Sequence, residues 1–196
     1  MSQLADFRAP GYVSPGEFIP KLTRRIRVLA FDQGLRNTGV VLLDGREEIP
    51  EIRHSITLRT KAGQQTGWRS NYAGQVQMAE HMIPILLEHA GEFDVIVHEM
   101  PSTKGLSRPD ASIMAGMSVR ILNLLLCPEV PIWMISKQRA ANTLTGNPNA
   151  KKDRIPAALK GASWIAGLDV IESSTYREHQ YDALALAITA LARGED

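Results

Sequence analysis

The chain has 196 residues, of which 44% are hydrophobic and 22% charged, and its formal net charge is +1. This balance excludes a disordered acidic tail, a collagen-like repeat and a coiled-coil rod, and the length is enough to bury a core without a metal or disulfide staple. The single cysteine, Cys127, allows no intramolecular disulfide, as expected for a reducing compartment.

No apolar run approaches the ~18 residues of a membrane span. The opening MSQLADFRAPGYVSPGEF lacks the apolar stretch of a secretory signal, so a soluble cytoplasmic protein is expected. Residues 1–25 carry three prolines and no periodicity, and read as an irregular extension. Ile26 to Asp32 (IRVLAFD) is an apolar, β-branched run stopped by Gly34, and Thr38 to Leu43 (TGVVLL) is a second strand ended by Asp44-Gly45. Their short connection predicts a hairpin. In the third strand, residues 52–59, Ile52, His54, Ile56 and Leu58 alternate with Arg53, Ser55, Thr57 and Arg59, which assigns one set to each face.

A polar loop, KAGQQTGWRSN, precedes a helix over about 72–90, with Val76, Ala79, Ile83 and Leu86 at helical spacing. DVIVHEM, residues 94–100, is a short strand buried on both faces. A second helix spans about 110–126, with Ile113, Met117, Ile121 and Leu124 along one side. Residues 130–136 form a fifth strand, which Pro131 assigns to a sheet edge or a first turn. Helices follow near 153–166, where Pro156 fits only the first turn, and near 178–193. Three antiparallel strands followed by alternating helices and strands predict an α/β fold, a mixed sheet covered by helices.

Net charge conceals an uneven distribution. Between Val130 and Ser163 six basic residues (Lys137, Arg139, Lys151, Lys152, Arg154, Lys160) stand against one acid, Asp153, a local balance of +5 (6 − 1). Lys104 and Arg108 lie in the loop directly after Glu99. Such patches hold phosphates, although a basic run by itself is ordinary solvated surface.

Three acids fall at element ends. Asp32 closes the first strand, Glu99 the fourth, and Asp182 lies in the first turn of the last helix, three residues after His179 and on the same helical face. With the first and fourth strands adjacent and parallel, Asp32 and Glu99 emerge side by side, and the last helix can bring His179 and Asp182 against them. Singly, each has a bland reading: a turn former, a strand end, a helix-start acid. Together they crowd negative charge that a divalent cation relieves, and oxygen-rich donors favour Mg²⁺ or Mn²⁺. Two such ions about 3.5–4 Å apart activate water and brace a phosphate for in-line displacement.

DQGLRNTG on the first hairpin, VHEMPS on the fourth strand and HQYDALALAITAL on the last helix resemble the RuvC family of Holliday-junction resolvases, over about Ile26 to Leu191. HxxDALALA is the most specific of these; DxGxxxTG turns also occur in other ribonuclease H-like and actin-like proteins. The resemblance implies a ribonuclease H-like domain over residues 26–196, with a mixed five-stranded sheet. It implies that Asp32, Glu99, His179 and Asp182 bind two ions of Mg²⁺, with Mn²⁺ able to substitute; His179 falls where members use Asp or His. AKKDR resembles the segment before the family's penultimate helix, which makes Lys152 the match to a catalytic-site lysine.

The implied activity is paired, symmetric nicking of four-way DNA junctions, leaving a 5′-phosphate and a 3′-hydroxyl. Lys104, Arg108, Lys137, Arg139, Lys151, Lys152 and Arg154 are the expected DNA contacts. Two equivalent strands suit a two-fold homodimer, with the helix at 110–126 as the interface through Met114, Met117 and Ile121. The chain departs from the family at Ser102, where members can carry a wedging aromatic. It departs again at Ala141 or Asn142, where a second lysine is expected although Arg139 and Lys137 are close, and in the about 25 residues before the first strand.

Nucleotide hydrolysis is disfavoured. An actin-like ATPase needs two related domains, and GNPNAKKD lacks the Gly-Lys-Ser/Thr of a phosphate-binding loop. The competing readings are a nuclease of the same fold acting on structured RNA or other branched DNA, and a non-catalytic nucleic-acid-binding module.

Overall fold

Side chains of the first strand alternate between two apolar layers, and this alternation organises the molecule. A computed structural model describes residues 19–34, 36–60, 68–100, 111–151, 153–160, 162–172 and 175–192. In β1 (Arg27–Asp32), Val28 and Ala30 face one layer while Leu29 and Phe31 face the other, all fully buried. β2 (Asn37–Asp44) pairs antiparallel with β1, and β3 (Glu51–Arg59) pairs antiparallel with β2. β4 (Val95–Glu99) then lies parallel to β1, and β5 (Ile132–Ile135) parallel to β4. The sheet order is β3-β2-β1-β4-β5, so the strand after Pro131 is an edge strand, one of the two places its proline allows.

α1 (Trp68–Glu88) and α2 (Ala111–Leu126) cover one face. Leu29, Phe31, Val40, Leu42, Met82, Leu86 and Ile96 form that layer. α3 (Lys137–Thr145), α4 (Arg154–Leu159), α5 (Leu168–Glu172) and α6 (Arg177–Ala192) cover the other. There α6 packs over β2 and β1 and is buried almost all round from Gln180 to Leu191, which explains its ALALAITAL composition. Each fully buried large side chain, such as Leu184 or Leu29, contributes about 1.5–3 kcal/mol. Among the described residues no helix is long and apolar enough to cross a membrane.

The structure corrects three expectations. The third strand does not keep one face throughout. Leu42 pairs with His54 but Leu43 pairs with Ile52, so Arg53 is an extra residue and Ile52 turns into the α6-side layer while Leu58 stays in the other. The helix near 153–166 ends at Leu159; residues 163 and 164 form a turn, and Ala166 makes an isolated bridge to Glu51. Finally, α3 and α5 are helices that the pattern does not announce. α3 is set by Ser136, whose side chain accepts from Arg139 N at 3.2 Å, and by Gly146 in the left-handed region at φ 68°.

Residues 19–26 form neither helix nor strand. They are nonetheless tied down: the Thr23 and Arg24 amides both donate to Leu191 O, at 2.9 and 3.0 Å, and Leu22 and Ile26 pack on the core.

Candidate active site

Strand parity places the acids. In the parallel ladder Phe31 is level with His98, so the next residues, Asp32 and Glu99, leave neighbouring strands at one edge. Both follow residues of the α6-side layer at two-residue spacing (Ala30, Val97), which turns them toward α6. The N-terminal end of α6 is fastened to β3. Gln180 accepts from Ser55 Oγ at 2.9 Å and donates to Thr57 Oγ1 at 3.1 Å, and Thr57 donates to Tyr176 O at 3.0 Å. Gly39 makes this approach possible, because a Cβ there would lie 2.0 Å from His179 O.

Asp32, Glu99 and Asp182 consequently line one cleft of about 340 Å³, together with Lys137, Ala141 and Asn149. His179 Nδ1 lies 2.9 Å from Asp32 Oδ2; an ionised carboxylate only accepts, so Nδ1 carries the proton. The other ring nitrogen, Nε2, lies 3.6 Å from Glu178 Oε1. Thus His179 bears on Asp32 directly rather than standing apart as a fourth arm of the site.

Burial opposes charge on both strand-end carboxyls. Asp32 nevertheless stays below its usual range, because His179 and Glu99 hydrogen-bond to it and Lys137 is close. Glu99 is pushed up to about 8, by burial first and by Asp32 next, with Lys137 pulling the other way. The pair therefore holds one charge and one proton near neutrality. Burial works against the Lys137 ammonium, but Asp32, Glu99 and Asp182 outweigh it and hold its pKa above the usual value.

Lys137 stands closer to the acids than a peripheral DNA contact would. Expected as a DNA contact, it is the first residue of α3 and lies 3.2 Å from Glu99 Oε2 and 3.9 Å from Asp32 Oδ1. Ala141, one turn further along α3, lines the same cleft. Arg139, Lys151 and Arg154 are exposed. Lys151 directly follows the lining residue Ala150, and Arg154 directly precedes the lining residue Ile155. Lys152, Lys104, Arg108 and Ser102 lie outside the described residues.

Among the described residues no three His, Cys, Asp or Glu side chains are already gathered into a metal-binding cluster; the Lys137 ammonium lies between the carboxyls instead. The donor chemistry still fits a hard divalent cation. Asp32 and Glu99 crowd two carboxyls at neighbouring strand ends, and a third, Asp182, lines the same cleft, an oxygen-rich donor set of the kind such ions take.

Behind the carboxylates, on the opposite face of the sheet, His98 is fully buried and stacks on Phe31, with ring centroids 5.3 Å apart. Burial, with Arg120 adding to it, pushes its pKa down to about 3, so the ring is neutral.

No protein-family profile matches the chain. Solved structures do: Thermus thermophilus RuvC superposes with a TM-score of 0.61 at 16% identity, over 84% of this chain and 93% of that one. The T. thermophilus RuvC in complex with Holliday junction substrate gives 0.60 at 15% identity, over 84% and 92%. The fold is therefore RuvC-like, a ribonuclease H-like arrangement of three antiparallel strands followed by parallel ones.

Proposed function

We propose that this protein is a metal-dependent endonuclease that resolves four-way DNA junctions by symmetric paired nicks. The observation that carries the reading is the convergence of Asp32, Glu99 and Asp182 on one cleft, with His179 on Asp32, within a RuvC-like fold. Structural neighbours include a RuvC bound to Holliday junction substrate, which favours branched DNA over RNA as the substrate.

Asp32, Glu99, Asp182 and His179 would hold two divalent cations, Mg²⁺ or Mn²⁺. Such ions supply Lewis-acid charge for phosphodiester hydrolysis. The chain's own part is orientation. His179 fixes one oxygen of Asp32, while the other faces Lys137. Lys137 presents positive charge where a phosphate must approach acidic residues. Hydrolysis forms one P–O bond from water and breaks the bond to O3′, so a 5′-phosphate and a ligatable 3′-hydroxyl remain.

Lys152 acts on the scissile phosphate in this reading, while Lys104, Arg108, Arg139, Lys151 and Arg154 hold the junction arms. The active unit is a homodimer joined through α2, whose Ile121, Leu124 and Leu125 are 53%, 60% and 72% exposed. The test compares cleavage of a four-way DNA junction, linear duplex, a flap and structured RNA, with Mg²⁺ and with Mn²⁺. Paired nicks in the junction are expected. Preferential cleavage of RNA or of flaps would overturn the substrate assignment, and no cleavage of any substrate would leave only a binding module.

A further inference from the structure

The residues behind the carboxylates form a connected set. Gln33 directly follows Asp32, and His98 directly precedes Glu99. Because strand side chains alternate, the Glu99 carboxyl faces the α6 side while His98 faces α2. Gln33 turns to the same side as His98, since its side-chain amide bonds His98 Nδ1. Nε2 of the same ring meets the Asn123 amide of α2 at 2.7 Å. A neutral imidazole donates through one nitrogen and accepts at the other, so one of the two amides must present its oxygen. Asn123 Oδ1 is buried without a hydrogen-bond partner, and turning that amide brings the oxygen onto Nε2–H. The Gln33 amide then donates to Nδ1.

α2 is shaped to admit this set. At Gly116 a Cβ would stand 2.7 Å from Gln33 Oε1, so any side chain there pushes the Gln33 amide away. Asn123 is fully buried, and His98 is held flat on Phe31 at an interplanar angle of 13°.

We propose that Gln33, His98 and Asn123 are positioning residues, a relay on the back of the sheet that sets the separation of Asp32 and Glu99 and anchors it to α2. The inference rests on reading those two carboxylates as metal ligands. It assigns to His98 no contact with substrate and no proton transfer.

The experiment measures Mn²⁺ binding to the full, DNA-free protein by calorimetry and electron paramagnetic resonance. The variants are His98→Phe, which keeps the stack and removes both bonds, Gln33→Leu, Asn123→Leu and Gly116→Ala. Groups that orient metal ligands typically change affinity by 10–100-fold, and about 10-fold weaker Mn²⁺ binding is expected in each. The double variant His98→Phe with Gln33→Leu should be no weaker than the worse single one, because both break one chain of bonds. Gly116→Ala separates positioning from stability: alanine is the better helix former, so melting temperature holds or rises while Mn²⁺ affinity falls. Folded variants that bind Mn²⁺ within about twofold of wild type would overturn the relay alone. A wild-type protein that binds no Mn²⁺, or an Asp32→Asn variant that binds it unchanged, would overturn the metal reading and the relay with it.

Discussion

The Lys137 ammonium lies 3.2 Å from Glu99 Oε2 and 3.9 Å from Asp32 Oδ1, so two strand-end acids and one helix-start base form a single electrostatic unit. Glu99, pushed up to about 8, already carries a proton near neutrality, so removing that cation leaves an uncharged carboxyl beside it, which limits the cost to folding. Catalysis has no such substitute. Lys137→Met should lower single-turnover cleavage about 100-fold at saturating enzyme, with junction affinity changed by about threefold or less. Single-turnover kinetics beside a binding titration separates the two. An affinity loss with unchanged cleavage would return Lys137 to the role of a simple DNA contact.

Gly39 of β2 is a point of close approach between α6 and the sheet. A Cβ there would lie 2.0 Å from His179 O and 2.3 Å from its carbonyl carbon. Backbone cannot swing aside as a side chain does, so Gly39→Ala must displace the end of α6 that carries His179 and Asp182. A loss of about 1–3 kcal/mol or more is expected from the overpacking, together with loss of cleavage. Urea unfolding and a junction cleavage assay read the two effects. Wild-type behaviour in both would show that α6 does not need this approach.

Asp44 closes the other end of β2. Arg27 Nε donates to it at 2.7 Å and Arg46 Nη2 lies 3.1 Å away. Burial opposes its charge, but bonds to Arg46 and Arg27 dominate and lower its pKa from 3.8 to about 2. Because the folded value is the lower one, the stabilisation is complete above pH 3.8 and disappears as pH falls through about 2. Allowing for the exposure of Arg46, Asp44→Asn should cost about 1–2 kcal/mol at pH 7 and almost nothing near pH 2. Urea titrations at the two pH values check this. An equal difference at both would assign the effect to packing rather than charge.

The outer face of α2 exposes Ile121, Leu124 and Leu125. In the proposed homodimer a second copy would cover this face, giving each of two equivalent strands its own cleft. The wild-type chain should sediment as a dimer at micromolar concentration, and Leu124→Lys with Leu125→Lys as a monomer. A wild-type monomer, with and without DNA, would contradict the assembly.

Much of this was legible in the sequence because strands betray their parity. Ala30 to Asp32 and Val97 to Glu99 each step by two, so once β1 and β4 are parallel neighbours, both acids must face the same layer. The spacing of His179 and Asp182 in a helix did the rest for the third carboxylate.

What stayed hidden depends on contacts between distant residues. Lys137 joins the site as the first residue of α3, which Ser136 caps, and a helix of nine residues with Ala140, Ala141 and Leu144 as its buried side leaves a faint periodic signal. His98 reads as filler in an apolar strand, since its partners Gln33 and Asn123 lie 65 and 25 positions away. The bulge at Arg53 likewise obeys the pairing with β2 rather than any pattern within β3.

In the function proposed above, Asp32 and its neighbours form a metal-dependent nuclease site. The most direct measurement is single-turnover cleavage of a four-way DNA junction by wild type and Asp32→Asn, in Mg²⁺ and in Mn²⁺, with junction binding measured in parallel. The substitution keeps size and shape but removes the charge that His179 and Lys137 bracket. Paired nicks by wild type, cleavage lower by about 1,000-fold or more in the variant, and retained junction binding are expected. Cleavage by Asp32→Asn at a near-normal rate would remove Asp32 from the mechanism and overturn the metal-site reading.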